Sequence, residues 1–215
     1  MKTYLVLKLQ GVMQAWGGHT YEDARHTELI PTRSGLLGLL AACLGIDRKD
    51  STGLSDLARS LRIAVRMDTT PVRITDFHTV LDARKVDGKP NKFPVVSRRE
   101  YLCDATYTVL LEVQEDAQVS ADAIEQALKN PVYTPFLGRR SCPPSRPLFE
   151  ERIEAEDFES AFALTPGEGG TIYSESCPRQ SHTPYRLRDI PLYGRKRQFA
   201  SREIYIYQQA KGEGT

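Results

Sequence analysis

The sequence has no apolar run approaching the roughly 20 residues that a membrane-spanning helix needs. Its opening segment is too strand-like, and its apolar part too short, for a signal peptide. The four cysteines are scattered without metal-site spacing, and we expect them to stay reduced. The net charge is only +1, so bulk charge does not indicate a nucleic-acid binder. These absences favour a cytoplasmic protein with no membrane partner.

Side chains that could perform acid–base or metal chemistry are also sparse. The four histidines, His19, His26, His78 and His182, show no recognisable pairing with one another or with a lysine. A lone histidine is more often structural or exposed than catalytic. No carboxylate cluster suggests Mg²⁺, and no set of cysteines and histidines suggests Zn²⁺. We therefore predict no catalytic residue, no metal and no cofactor.

The charges that the chain does contain are unevenly distributed. Residues 150–159 hold six acids and one arginine, whereas residues 179–202 hold seven bases and one acid. Residues 130–149 hold three arginines and no acid. Such separation allows a basic surface on a chain whose total charge is balanced, which is typical of some nucleic-acid binders. The alternative is a merely patchy surface.

The pattern of apolar runs and helix caps predicts strand, helix, strand, strand, helix, strand, which is the ferredoxin-like order of an α+β fold. RNA-recognition folds share it, although their usual aromatic signature is absent here. We predict one domain over 1–149, an insertion at about 79–101 and a small β-rich segment over 150–215. The predicted strands lie at 3–9, 62–67, 71–81, 101–113 and 132–138, and the predicted helices at 31–46, 47–60 and 120–131. Ser34 and Ser120 are the expected N-caps, and Gly45 is expected to end the first of these helices.

The segment YTPFLGRRSCP places two adjacent arginines directly after a glycine. A glycine turn lets backbone N–H groups approach phosphate oxygens, and guanidinium groups supply further donors. The side chain of Tyr133 or Phe136 could stack on an unpaired base. The alternative is that Arg139 and Arg140 are ordinary solvated side chains. A regular strand would send them to opposite faces, so we expect unequal roles for them.

Several longer phrases, QGVMQAWG, PTRSGLLGLLAACLGI, REYLCDA, YTPFLGRRSCP and RQFASREIY, occur in an order that closely resembles the CasD family. This family belongs to the RAMP superfamily and serves type I-E CRISPR Cascade complexes. The resemblance implies a modified RNA-recognition fold whose insertion is a thumb hairpin. It also implies a non-catalytic subunit that grips the five-prime handle of the crRNA. The implied protein partners are the CasC backbone subunits and the large PAM-recognising subunit, with target DNA reached through the assembled complex.

Two alternative functions stay open at this point. Related subunits of another CRISPR subtype are metal-independent RNases, so repeat-RNA processing is one alternative. A structural assembly subunit with incidental RNA contacts is the other. For the non-catalytic reading, the candidate RNA-binding residues are Met13, Gln14, Ala15, Arg33, Ser34, Arg84, Arg99, Tyr133, Phe136, Leu137, Gly138, Arg139, Arg140, Ser141, Arg197 and Arg202. We interpret Trp16 as a packing residue.

Overall fold

The first strand lies inside a seven-stranded antiparallel sheet because its side chains are apolar on both faces. Leu5, Leu7 and Leu9 point into one buried cluster, and Tyr4 and Val6 point into a second cluster on the opposite face. The computed structural model describes residues 1–21, 23–85, 87–167, 169–180, 182–193 and 198–209. This sheet contains β1 (Lys2–Gln10), β5 (Leu61–Thr69), β8 (Thr106–Val113), β9 (Phe149–Ala155), β10 (Thr171–Ser174), β11 (Tyr185–Pro191) and β12 (Phe199–Gln208).

The strand order is β11-β12-β10-β5-β8-β1-β9. On one face lie α1 (Arg33–Leu44), α2 (Ser51–Arg59) and α3 (Ala121–Lys129), and on the other lies α4 (Phe158–Leu164). The prediction of an α+β chain is confirmed. The structure adds α4, which the sequence pattern did not indicate, so helices cover both faces of the sheet. No helix in the described ranges is long and apolar enough to span a bilayer.

The strand predicted at residues 132–138 is wrong. That segment is irregular, and the strand beside β1 is instead β9, which lies in the predicted C-terminal appendage. The charged sequence of β9 conceals it, because β9 is an edge strand whose side chains alternate between exposed and partly buried positions. Strands β10 to β12 also extend the main sheet. The C-terminal segment is therefore continuous with the rest of the fold.

A second sheet of five strands contains the predicted insertion. Its members are β2 (Met13–Gln14), β3 (Trp16–Tyr21), β4 (Ala24–Glu28), β6 (Val72–Val80) and β7 (Val95–Cys103). Strands β6 and β7 form a long hairpin whose connecting loop contains Arg84. We call this hairpin the thumb. The thumb spans residues 72–103 and is therefore longer than the predicted 79–101, because β6 and β7 pair along their whole length.

A largely buried charge cluster joins the last strands to the first helix. Arg202 of β12 donates from Nε and Nη2 to Asp189 of β11, at 2.6 and 2.8 Å, and from Nη1 to Glu175 at 2.8 Å. Arg33 also binds Glu175, and its backbone N–H donates to Asp189 Oδ2 at 2.7 Å. Thr32 caps α1 by accepting from the N–H of Gly35 at 3.2 Å. A carboxylate and a threonine therefore accept from the N–H groups at this helix start, which holds the predicted RNA-binding residues Arg33 and Ser34.

This cluster bears on three predictions. The guanidinium groups of Arg33 and Arg202 bind carboxylates within the protein, which gives both a structural role, and their RNA contacts stay a prediction. The N-cap of α1 is Thr32 and not Ser34. The other predicted caps are confirmed, since Ser120 accepts from the N–H of Ala123 and Gly45 ends α1 with a positive φ of 75°.

We predict that Arg202→Ala lowers the free energy of unfolding by about 3 kcal/mol, because it leaves the buried Asp189 without its guanidinium partner and Glu175 with Arg33 alone. Arg186→Ala is the matched control, since the Arg186 side chain is 82% exposed and lies 4.0 Å from Glu203. It should leave the unfolding midpoint nearly unchanged. Chemical denaturation monitored by circular dichroism measures both variants. Equal midpoints for the two would contradict a stabilising role for the cluster.

Candidate nucleic-acid interface

The segment between α3 and β9, residues 130–148, is irregular but held by backbone hydrogen bonds along its length. The N–H groups of Val132 and Tyr133 donate to carbonyls at the end of α1, at 2.9 and 3.2 Å. Further along, the N–H of Ser145 donates to Gln10 O at 2.8 Å, beside the end of β1. Long irregular segments in compact domains are usually functional or disordered. These bonds give this one a defined shape.

Residues 137–142 form a closed turn within this segment, which we call the arginine turn. The N–H of Leu137 donates to Cys142 O at 2.7 Å, and the N–H of Cys142 donates back to Arg139 O at 2.8 Å. Leu137 and Cys142 are buried, and Arg140 and Ser141 between them are exposed. The two buried ends anchor the turn, and its middle faces solvent.

Gly138 is required by a close backbone approach. Its φ is +86°, in the left-handed region, and a Cβ added there would lie 1.7 Å from the carbonyl oxygen of Ala15. The N–H of Ala15 in turn donates to Leu137 O at 3.1 Å. The arginine turn therefore lies directly on the strand segment that precedes Trp16.

Arg139 binds the arginine turn to the five-stranded sheet that contains the thumb, which we call the thumb sheet. Its Nη1 donates to Glu100 O at 2.7 Å, its Nη2 donates to Arg25 O at 3.0 Å, and its guanidinium lies 4.6 Å from the centre of the Tyr101 ring. Along β7, residues 98–99 pair with β4 and residues 102–103 pair with β2. Glu100 lies between these two stretches of strand pairing, and the Arg139 side chain donates to its carbonyl there. This is a structural role.

Arg140 has the opposite character. It is exposed, and across the described ranges it makes no ion pair or hydrogen bond with another side chain. Within the same ranges, the backbone N–H groups of Arg140 and Ser141 have no protein acceptor, whereas the N–H of Arg139 is directed at the Cys142 thiol. Successive N–H groups in a turn form a concave site for an anion. The expected inequality of the two arginines therefore has a structural basis, with Arg140 as the one available to a ligand.

The two faces of the β4–β7 strand pair carry different charge patterns. On one face Glu100 accepts from the Thr27 N–H at 3.1 Å, lies 3.0 Å from His26 Nδ1, and forms an ion pair with Arg73 at 3.3 Å. Burial alone would raise the pKa of the Glu100 carboxyl, but the hydrogen bonds from His26 and Thr27 and the charge of Arg73 hold it below its usual value. Alternation along β7 places Arg99 on the other face, where its Nε donates to Ser97 Oγ at 3.1 Å.

The structure brings together only part of the predicted site. Met13, Ala15, Arg99, and the arginine turn meet around β2, β4 and β7. The Gln14 side chain is fully buried and binds Leu9 O, Ala105 O and Trp16 Nε1, which is a structural role. The Leu137 side chain is likewise in the core. Trp16 is fully buried, which confirms its packing role.

Two predicted residues lie away from this meeting point or outside the described chain. Arg84 is exposed in the thumb loop, where it forms an isolated bridge with Pro90, and Arg197 lies outside the described residues. Ser34 lines a cleft that also contains Gly138 of the arginine turn. The sequence reasoning also missed Arg25. Its pairing with Arg99 becomes visible only in the strand register, because 74 positions of sequence separate a short strand from the thumb.

An apolar cleft of about 670 Å³ adjoins the arginine turn, and Gly138 contributes to its wall. Tyr133 is 54% exposed and Phe136 is 38% exposed at its margin. Phe199 and Tyr193 line the cleft on the side of the β11–β12 hairpin. Aromatic rings of this exposure, next to unpaired N–H groups and an arginine, are typical of single-stranded nucleic-acid sites.

Comparison with known protein families places this two-sheet chain among CRISPR-associated proteins. It belongs to the family described as CRISPR-associated protein, Cas5, whose profile matches residues 4–205. The chain is 45% identical over 215 residues to the Escherichia coli (strain K12) protein named CRISPR system Cascade subunit CasD, and the match covers 96% of each chain. The resemblance noted in the sequence is therefore confirmed.

Solved structures agree with this assignment. A chain of a CRISPR RNA-guided surveillance complex superposes with a TM-score of 0.80 at 30% identity, over 96% of this chain and 90% of that one. A crystal structure of a Cas protein superposes with a TM-score of 0.71 at 30% identity, over 97% and 95% of the two chains. The likeness to both structures thus extends over nearly the whole of this chain.

We predict that Gly138→Ala destabilises the protein by more than about 2 kcal/mol, because the added methyl group meets the Ala15 carbonyl as well as an unfavourable φ. Gly88→Ala in the thumb loop is the matched control. Gly88 has a similar φ of +81°, but nothing lies within 4 Å of an added Cβ. That control should lose only about 1 kcal/mol. Thermal unfolding of both variants measures the difference, and equal losses would mean that the approach to Ala15 is not required.

Proposed function

We propose that this chain is the Cascade subunit that binds the five-prime handle of the crRNA in the cytoplasm, caps the CasC backbone and helps to seat the large PAM-recognising subunit in antiviral defence. Family membership and the likeness to a surveillance-complex chain support the setting. The arginine turn is the observation that carries the RNA-binding role. The two unpaired N–H groups of Arg140 and Ser141 and the exposed Arg140 side chain together suit a phosphate oxygen.

The fold supports an RNA-binding core of the ferredoxin-like type. Four strands at one end of the main sheet follow the order β5-β8-β1-β9, all pairs are antiparallel, and α1 and α3 provide the crossovers. We infer that this is the split βαβ core, enlarged by β10 to β12 and by the thumb sheet. In this account the RNA lies across the arginine turn, at the junction of the two sheets.

We propose further that the subunit is not a nuclease. The histidines whose side chains the structure describes have separate local partners, since His26 lies by Glu100, His78 lies by Asp76, and His182 lies by Tyr207. The alternative of a metal-independent RNase is favoured by one contact only. The His26–Glu100 pair at 3.0 Å resembles a general base with its orienting carboxylate.

Replacing the two turn arginines singly should separate binding from folding. Arg140→Ala should weaken handle-RNA affinity by about 1.5–3 kcal/mol, through loss of a charge-assisted hydrogen bond, and leave the unfolding midpoint unchanged. Arg139→Ala should lower the midpoint, because it removes the donor to Glu100 O and Arg25 O and the contact with Tyr101. Fluorescence anisotropy with a labelled handle oligoribonucleotide, together with thermal unfolding, measures both properties.

The same titrations at several salt concentrations provide a second readout. For a single strand, log affinity should fall by roughly 0.7 per phosphate contact for each decade of salt, so Arg140→Ala should flatten the slope by about that amount. A wild-type affinity independent of salt would show that phosphate contacts do not dominate. Unchanged affinity in Arg140→Ala would leave Arg140 as ordinary surface charge.

A cleavage assay tests the non-catalytic proposal directly. Purified protein incubated with end-labelled repeat RNA, with and without EDTA, should leave the RNA intact over hours. His26→Ala is the matched variant, since His26 is the histidine held by a carboxylate. Specific cleavage within the repeat that persists in EDTA and disappears in His26→Ala would establish the RNase alternative instead.

A further inference from the structure

Two arginines lie side by side on the thumb sheet, at the edge of the arginine turn. Strands β4 and β7 are parallel, and Arg25 is the register partner of Arg99. Register partners in a sheet project to the same face, so these two side chains are nearest neighbours across the strand pair. Like charges opposite each other are unfavourable unless a counter-charge lies between them or on them.

The protein supplies little counter-charge on this face. Asp76 of β6 is the register partner of Arg99 on the strand that flanks β7 opposite β4. Its carboxylate lies 3.8 Å from His78 Nδ1. Among the residues that the structure describes, it forms no ion pair with Arg99 within 4 Å. Over the same residues Arg25 has no acidic partner. The backbone carbonyl of Arg25 accepts a hydrogen bond from the Arg139 guanidinium.

The opposite face of the same strands has paired charges. Arg98, the sequence neighbour of Arg99, forms an ion pair with Asp23 at 3.2 Å. Glu100 is compensated by Arg73 and lies beside His26. One face of the strand pair is therefore internally neutralised, and the other presents Arg25, Arg99 and the guanidinium of Arg139 with one acid beside them.

We propose that Arg25 and Arg99 form a second phosphate-binding position, which holds the backbone of the same RNA strand as it passes from the arginine turn toward the thumb. This inference rests on the proposed RNA-binding function and adds Arg25 to the contacting residues. Two neighbouring guanidinium groups suit a phosphodiester, whose two free oxygens accept one from each. The Arg139 bond to the Arg25 carbonyl fixes the distance between the two phosphate positions.

The test compares Arg25→Ala with Arg98→Ala in full-length protein. An alanine at position 25 keeps the carbonyl that Arg139 uses, so the thermal unfolding midpoint should not change. Affinity for a labelled handle oligoribonucleotide should fall about 10-fold or more in Arg25→Ala, the loss expected for a charged hydrogen bond. Arg98→Ala removes an equal charge from the paired face and should alter affinity less than about 2-fold.

A phosphate-neutralisation series identifies the contact. Handle RNAs carrying one uncharged methylphosphonate at each successive linkage are titrated against wild type and Arg25→Ala. The loss caused by Arg25→Ala should disappear at one linkage only, which differs from the linkage that removes the effect of Arg140→Ala. A loss of equal size at every linkage would overturn the second position, because it would indicate long-range charge alone.

The outcomes also separate this inference from the function on which it rests. If wild type binds the RNA and Arg140→Ala weakens it, while Arg25→Ala matches Arg98→Ala, the second position is wrong and the proposed function stands. If wild type fails to bind the RNA at all, both are wrong.

Discussion

The contact between Gly138 and the carbonyl of Ala15 is the constraint on which the rest of the site depends. No side chain fits between these two backbones, and the φ of Gly138 is positive, so only glycine meets both requirements. The contact fixes the arginine turn against the β2–β3 segment. Arg139 then fixes the other side of the turn to β4 and β7. The exposed N–H groups of the arginine turn are therefore held in place before any ligand binds.

This preorganisation explains how a chain of nearly neutral charge presents a basic surface. Many of its arginines are used internally: Arg66 is fully buried against Asp68, and Arg33 and Arg202 are bound to Glu175 and Asp189. Side chains alternate between the two faces of the thumb sheet, so the paired charges lie on one face and Arg25 and Arg99 on the other. These few arginines are enough to make that second face basic. A rigid site loses less conformational entropy on binding than a mobile one does.

Local sequence signals predicted the parts of the fold that local physics decides. The apolar run of β1, the cap of α3 at Ser120 and the glycine at the end of α1 each act within a few residues. The strand β9 was missed because an edge strand rich in glutamate has no apolar signature. The division of labour between Arg139 and Arg140 could not be predicted either. It depends on carbonyls at Arg25 and Glu100, which only the tertiary pairing brings within reach.

A structure of the chain bound to guide RNA tests the central claim most directly. The account predicts a phosphate oxygen within about 2.7–3.1 Å of the N–H groups of Arg140 or Ser141, with the RNA backbone on the face of the thumb sheet that carries Arg99. The Arg139 guanidinium should stay on its two carbonyls. RNA lying on the opposite face, along Arg98 and Glu100, with the arginine turn free of phosphate, would contradict the account.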